Sequence, residues 1–356
     1  MRIIVRYLAT EVISASLFVF AALATLFALF DLINEMDLLG NGSYGFVSIL
    51  WYVLLNVPGH LYELLPVAAL IGSLLALSRL VANSEFSVML VSGLSMRRIA
   101  VYMMLIGLVF TLITMVFGEI IAPATDRYAE QMKLKATHQL VAQSFRSGLW
   151  IRDHNQFINV HEVTPDGQLR GVNVYAFDSK FHLLHILSAA SGHFLHDNLW
   201  QLHHIDETDF GPQTVQVQHF PQEQWESVLT PSIMNVLLLA PEKMSAHDLW
   251  LYVVHLRDNH QPSERYEIAL WGKLVYPLAA PIMLLLTVPF AWHRPRAGSV
   301  GTRAFMGIMV GLSFNLSNRL FAYVGLLNGW SAGVSVLLPS LIFLLLGWVL
   351  LLRAEI

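Results

Sequence analysis

The chain has no cysteine. That excludes a disulfide, a thiolate metal site and a cysteine nucleophile, and it fits an oxidising compartment. Charge is scarce as well. Only 13% of the 356 residues are Asp, Glu, Lys or Arg, against about 25% in an ordinary soluble domain, so much of the surface is suited to lipid rather than water. The net charge of −4 gives no electrostatic footing for nucleic acid. Catalytic signatures are missing too. No G-x-x-x-x-G-K-[ST] loop occurs, so the chain does not itself cradle ATP phosphates in a P-loop. Neither H-E-x-x-H nor G-x-S-x-G occurs. No catalytic residue is assigned.

Long apolar runs fill the space that charge leaves. Val12 to Phe30 holds 19 residues without a charge, about 28 Å of helix against a bilayer core of about 30 Å. Arg2 and Arg6 precede it, but the run is too long for a signal peptide and lacks a small-residue cleavage site. It reads as a retained first span, ended by Asp31, Glu35 and Asp37 and a Gly40–Gly45 turn. Phe46 to Ser78 contains one carboxylate, Glu63, and the pair Pro58-Gly59. A helix on the outer membrane surface over Phe46–Val57, then a second span over Leu61–Leu80, is expected, because two spans here would put Arg79, Arg97 and Arg98 outside. Ile99–Gly118 forms the third span, Leu274–Trp292 the fourth, Ala304–Val324 the fifth and Gly333–Leu352 the sixth.

Residues 124–262 are different in kind. They hold 13 of the 15 histidines and read as short β runs, at 150–154, 156–163, 171–177, 198–206 and 214–220. Asp153-His154-Asn155, Pro165-Asp166-Gly167 and Asp197-Asn198 punctuate them as turns. The pattern suggests an antiparallel sandwich or barrel. The division is then 1–123, three spans; 124–262, a β domain with flanking helical linkers; and 263–356, three spans. Arg2, Arg6, Arg79, Arg97, Arg98, Arg294, Arg296, Arg303 and Arg353 all fall on one side, so both termini are assigned to the cytoplasm and the β domain to the outside.

The stretch from Asn83 to Ser95 sits between the second and third spans. Asn83 or Ser84 suits a helix cap, Glu85 suits the positive end of the dipole, and Phe86, Met89, Leu90 and Leu94 recur at helical spacing. Gly93 is a natural stop, and Arg97 and Arg98 follow. Such a segment either connects two spans or docks a cytoplasmic partner. Ionisable residues near the outer ends are Glu63, Lys133, Lys135 and Arg319. They either snorkel and pair or face a polar cavity that meets substrate. His182, His185, His193, His196, His203 and His204 carry zinc-type nitrogens, but strand alternation does not bring four ligands together, so polar strand faces are expected and no metal is assigned.

The whole chain resembles the lipopolysaccharide export permeases of the LptF/LptG family. The resemblance is carried by GNGSY (40–44), PVAALIGSLLALSRL (66–80), SEFSVMLVSGLSMRRI (84–99), GEIIAP (118–123), RYEIALWGKLVYPL (265–278) and RPRAGSVGTR (294–303). It implies an α-helical membrane protein with six transmembrane helices (3+3) and an inserted jelly-roll-like periplasmic domain. It implies the permease subunit of an inner-membrane ABC transporter, not an enzyme, that extracts lipopolysaccharide from the outer leaflet. The implied partners are an LptF-type permease as heterodimer mate, two copies of an LptB-type cytoplasmic ATPase that holds ATP and magnesium, an LptC-type membrane-anchored protein and an LptA-type periplasmic bridge. The family's coupling helix maps onto Ser84–Ser95, and Ser84, Glu85, Phe86, Met89, Leu90, Gly93 and Arg97 are its candidate contacts. Basic residues near the cavity mouth meet lipid phosphates in the family; Lys133 and Lys135 fit that role, while Asp31, Glu35 and Asp37 stand where lysines are expected. The rivals are a His-rich membrane-anchored metalloenzyme and a passive scaffold for an external domain.

Overall fold

The computed structural model describes residues 2–137, 149–292 and 300–354, except for 154, 165, 166, 179, 197, 212, 213, 228, 230–239 and 260. The turn residues His154, Pro165, Asp166 and Asp197, and the Arg294–Arg296 stretch, therefore lie outside the described residues. Helix α1 runs Arg2–Met36 and α2 runs Phe46–Ala82. The short α3 is Glu85–Val91, and α4, Met96–Val116, passes through a wide π turn at Phe117–Ile121 into α5, Ala122–Thr137. After the β domain come α6 (Ala246–Asp258), α7 (Glu264–Val275), α8 (Ala279–Trp292), α9 (Val300–Asn328) and α10 (Ala332–Ala354).

Five stretches of the described residues are long and apolar enough to cross a membrane: Ile3–Met36, Phe46–Ala82, Met96–Thr137, Glu264–Phe290 and Ala332–Arg353. The expected fifth span, now α9, has the length at 29 residues, but Asn315, Ser317, Asn318 and Arg319 dilute its second half. The expected break at Pro58-Gly59 is absent. Pro58 and Pro66 both lie inside one 37-residue helix. A helix-breaking proline is tolerated in such a setting because neighbouring helices keep the remaining backbone groups satisfied, and α2 packs against α1, α5, α8 and α9. At about 1.5 Å per residue α2 is about 55 Å long, so it carries on well past a core of about 30 Å.

Close helix approaches hold the bundle. A side chain at Gly72 of α2 would overlap the Ser16 backbone of α1, and one at Gly107 of α4 would overlap Pro281 of α8. The largest buried cluster runs from Leu8 and Val12 through Leu77 and Leu80 to Phe86, Ile99, Met103 and Leu284. It joins α1, α2, α3, α4 and α8 in one core.

The β domain is one six-stranded antiparallel sheet in the order β1-β2-β3-β4-β5-β6. Its strands are β1 Leu149–Asp153, β2 Gln156–Val163, β3 Leu169–Phe177, β4 Leu183–His196, β5 Leu199–Phe210 and β6 Val215–Glu226. The expected sandwich, barrel or jelly roll is corrected to an open meander among the described residues, because every strand pairs with its sequence neighbour and β1 does not pair with β6. One face carries Ile158, Val160, Val172, Val174, Leu187, Ala189, Leu202 and Ile205. Trp200 is fully buried there, and its indole N–H donates to the Leu229 carbonyl at 2.6 Å. Pro221 sits in β6, an edge strand, where a missing N–H is tolerated.

Candidate functional site

Left-handed residues bound α3. Ser84 has φ +64° and Gly93 has φ +93°. The hydroxyl of Ser84 makes no capping bond, against expectation, because a cap reaches the first-turn N–H groups from an extended backbone. Asn83 instead ends α2, its N–H donating to the Arg79 carbonyl at 3.0 Å. Gly93 stops α3 as expected, and its N–H donates to the Leu90 carbonyl at 3.1 Å. Ser95 then caps α4 by accepting from the Arg98 N–H at 3.4 Å. Arg97 and Arg98 are both exposed on the first turn of α4.

The two faces of α3 differ in burial. Phe86, Met89 and Leu94 are buried in the cluster shared with α1, α2 and α4, and Leu90 packs against it. The apolar side expected to meet a partner is thus turned into the chain's own core, which is where a short helix gains its stability. The outward side shows Ser87, Val88 and Val91, with Val91 90% exposed. Glu85 is also engaged within the chain. One carboxylate oxygen accepts from the Tyr7 hydroxyl of α1 at 2.7 Å, and the other accepts from the Asn83 amide at 3.2 Å. Arg79 pairs with Glu11 of α1 at 2.6 Å. One polar tie therefore fixes α1 beside α3 and the other fixes α1 beside α2.

The other candidate residues fall in two separate places. Lys133 on α5 donates to Glu35 on α1 at 2.7 Å, and both side chains are largely buried, at 18% and 10% exposed. The Tyr44 hydroxyl donates to the same carboxylate at 3.0 Å. Burial, with Glu35 beside it, pushes the Tyr44 phenol up from its ordinary pKa. The Lys133 ammonium also lies 4.9 Å from the centre of the Tyr52 ring. Next to this group, His60 of α2 meets Asp31 at 2.6 Å. Two of the acids at the end of α1 thus have partners on neighbouring helices: Glu35 pairs with Lys133 of α5, and Asp31 meets the His60 ring of α2. Lys135 is exposed one helical step away.

Glu63 and Arg319 lie elsewhere, both within electrostatic reach of the Tyr276 hydroxyl. That hydroxyl donates to the Glu63 carbonyl at 2.6 Å. Both charged side chains are exposed. Beside them is a seam that the sequence reading did not single out. Lys273 of α7 is only 6% exposed, donates to the Gly118 carbonyl at 3.2 Å and stands 4.4 Å over the Tyr62 ring. Gly118 lies in the π turn, a wide turn that leaves the ordinary helical hydrogen-bond pattern. Glu119 from the same turn accepts from the Ala246 N–H at 2.8 Å. Asp126 is 5% exposed, and its Oδ1 has no hydrogen-bond partner among the described residues. The signal for Lys273 was its place at the head of an apolar run, where an ionisable residue is costly and so rarely idle.

Among the described residues, no nucleophile–base pair stands at either end. The geometry offers a stabilised short helix with an exposed face at one end and a set of helix-to-helix ion pairs at the other. A family model described as "Lipopolysaccharide export system permease LptF/LptG" matches residues 6–353. Lipopolysaccharide export system permease protein LptG of Escherichia coli strain K12 is 30% identical over 350 residues, covering 98% of this chain and 97% of that protein. The protein of the same name from Haemophilus influenzae is 28% identical over 349 residues, covering 98% of each.

Proposed function

Because the chain belongs to the LptF/LptG family of lipopolysaccharide export system permeases, we propose that it is the LptG-type half of a paired permease in an inner-membrane ABC transporter. ATP is hydrolysed by a separate LptB-type subunit bound in two copies, and this chain does no covalent chemistry. An LptF-type permease completes the pair, and LptC-type and LptA-type proteins continue the path. The arginine asymmetry and the 29-residue length of α9 support a six-helix 3+3 layout, with α9 as the fifth span, cytoplasmic termini and a periplasmic β domain.

The observation that carries the reading of the cytoplasmic end is α3. A seven-residue helix is too short to be stable alone, yet this one is stapled to α1, α2 and α4 by Phe86 and Met89 and tied to Tyr7 through Glu85. A push on its exposed Ser87, Val88 and Val91 would pass directly into those three helices. Gly93 and Arg97 flank this face. Closure of the paired permeases then squeezes a multi-acyl, phosphorylated lipid upward from the outer leaflet.

At the outer end, Lys133 is the candidate phosphate contact. It reaches a phosphate by exchanging Glu35, its intramolecular partner, for the lipid headgroup. Lys135 is exposed beside it, and Glu63 and Arg319, near Tyr276, form a second candidate polar group. The test is purification of the chain from native membranes in mild detergent. A second permease and an ATPase are expected to copurify, and the ATPase is expected to be lost with Val91→Asp. Copurification of neither would overturn the reading.

A further inference from the structure

The β domain brings three metal-ligating side chains together from two strands. His185 of β4 lies opposite Asp209 of β5 in the ladder, and Glu207 lies opposite Leu187. Alternation puts His185, Leu187 and Ala189 on one face of β4, and Ile205, Glu207 and Asp209 on the same face of β5. This is the apolar face of the sheet, since Leu187, Ala189 and Ile205 belong to its core. One ligand atom from each of His185, Glu207 and Asp209 lies within 4.8 Å of the other two, and each residue is half-buried. Among the described residues, none of the three has a hydrogen-bond or ion-pair partner. Two carboxylates and an imidazole thus converge beside apolar neighbours, with no Lys or Arg between them. Like charges so placed repel unless a cation joins them.

We propose that His185, Glu207 and Asp209 form a site for a divalent ion of the zinc class in the β domain. The donor set selects the ion. Imidazole with carboxylate suits Zn²⁺, whereas Ca²⁺ and Mg²⁺ take six or more oxygens. Ligand atoms on a tetrahedral Zn²⁺ at about 2.0–2.2 Å stand roughly 3.3 Å apart, so small side-chain rotations close the set. Three protein ligands leave one position for water. Gln216 and Gln218 of β6 lie opposite Asp209 and Glu207, the next strand over on the same face, and flank that position. A bound ion cross-links β4 to β5 close to the β3–β4 turn.

The histidine pair His193 and His203, with rings 5.4 Å apart, lies further along the same two strands and serves as the control. The full-length chain is purified in detergent without a polyhistidine tag, stripped with a chelator, and dialysed against Zn²⁺, Mg²⁺ or Ca²⁺ with elemental analysis. One Zn²⁺ per chain is expected, held at least tenfold more tightly than Mg²⁺ or Ca²⁺, with a rise in Tm on zinc addition. His185→Ala, Glu207→Gln and Asp209→Asn should each weaken zinc binding tenfold or more, while His193→Ala leaves it unchanged. Metal-free Tm values of parent and variants separate a folding defect from a lost ligand. Retention of no stoichiometric zinc, or unchanged binding in His185→Ala at an unchanged metal-free Tm, would overturn the site.

Discussion

Glu85 stands in the first turn of α3, where the helix dipole favours a carboxylate, but both its oxygens are occupied by Tyr7 and Asn83. On the proposed function its work is to orient α3 rather than to hold a free charge out to a partner. Tyr7→Phe and Glu85→Gln should both weaken retention of the ATPase, and Glu85→Lys should weaken it further, as read by copurification in mild detergent. Loss with Glu85→Gln alone, and none with Tyr7→Phe, would mean that the charge acts directly on the partner. Lys133 poses a parallel question at the other end. Truncating one member of a buried ion pair costs about 3–5 kcal/mol. Lys133→Ala and Glu35→Ala should each lower the unfolding temperature in detergent. The double variant should lose less than the sum, because paired residues couple. Strict additivity would show that the 2.7 Å contact contributes nothing.

At the scale of elements, α3 has a buried side and an exposed side that one stripe of sequence does not tell apart. Phe86, Met89 and Leu90 announce a helix with an apolar side, and spacing alone does not say whether that side meets a partner or the chain itself. The burial of Phe86 and Met89 decides it. Val91→Asp should abolish ATPase capture while leaving the unfolding temperature of the isolated chain unchanged. Met89→Asp should lower that temperature, since it buries a charge in the core. The opposite pattern would return the docking contact to the buried side. The ends of α3 were legible because Gly93 has one conformational use there. So were β1, β2, β3, β5 and β6, whose Val, Ile and aromatic alternation marks strands. Strand β4 was not legible: its SAASG centre (188–192) lacks β-branched residues, and its place comes from the ladders on either side. The continuity of α2 was hidden by Pro58, whose local cost is set against packing along the rest of a 37-residue helix.

For the whole molecule, several apolar membrane-length helices and a separate antiparallel β sheet were legible, because apolar length and the change of composition act over tens of residues. The open single sheet was not, since period-two alternation is shared by meanders, sandwiches and barrels. The Glu35–Lys133 ion pair and the Asp31–His60 contact were not legible either, because their members lie 98 and 29 residues apart. The metalloenzyme and scaffold readings of the sequence give way to membership of a permease family along nearly the full chain. Orientation is open to direct test, and the absence of cysteine makes the chain its own background. A single Arg170→Cys should react with a membrane-impermeant maleimide from the periplasmic side, and Ser92→Cys only after the inner membrane is breached. Reversal of the two would invert the arginine argument.

On the proposed function, this chain couples a partner's ATP hydrolysis to movement of lipopolysaccharide. The measurement is lipid transfer from proteoliposomes. The chain is reconstituted with its LptF-type mate, the ATPase and lipopolysaccharide, and release to a periplasmic acceptor protein is followed with and without ATP. The account predicts ATP-dependent release that falls to the no-ATP level with Val91→Asp, while α3 stays folded on its Phe86 and Met89 side. Equal release from vesicles that lack this chain, or full release with Val91→Asp, would contradict it.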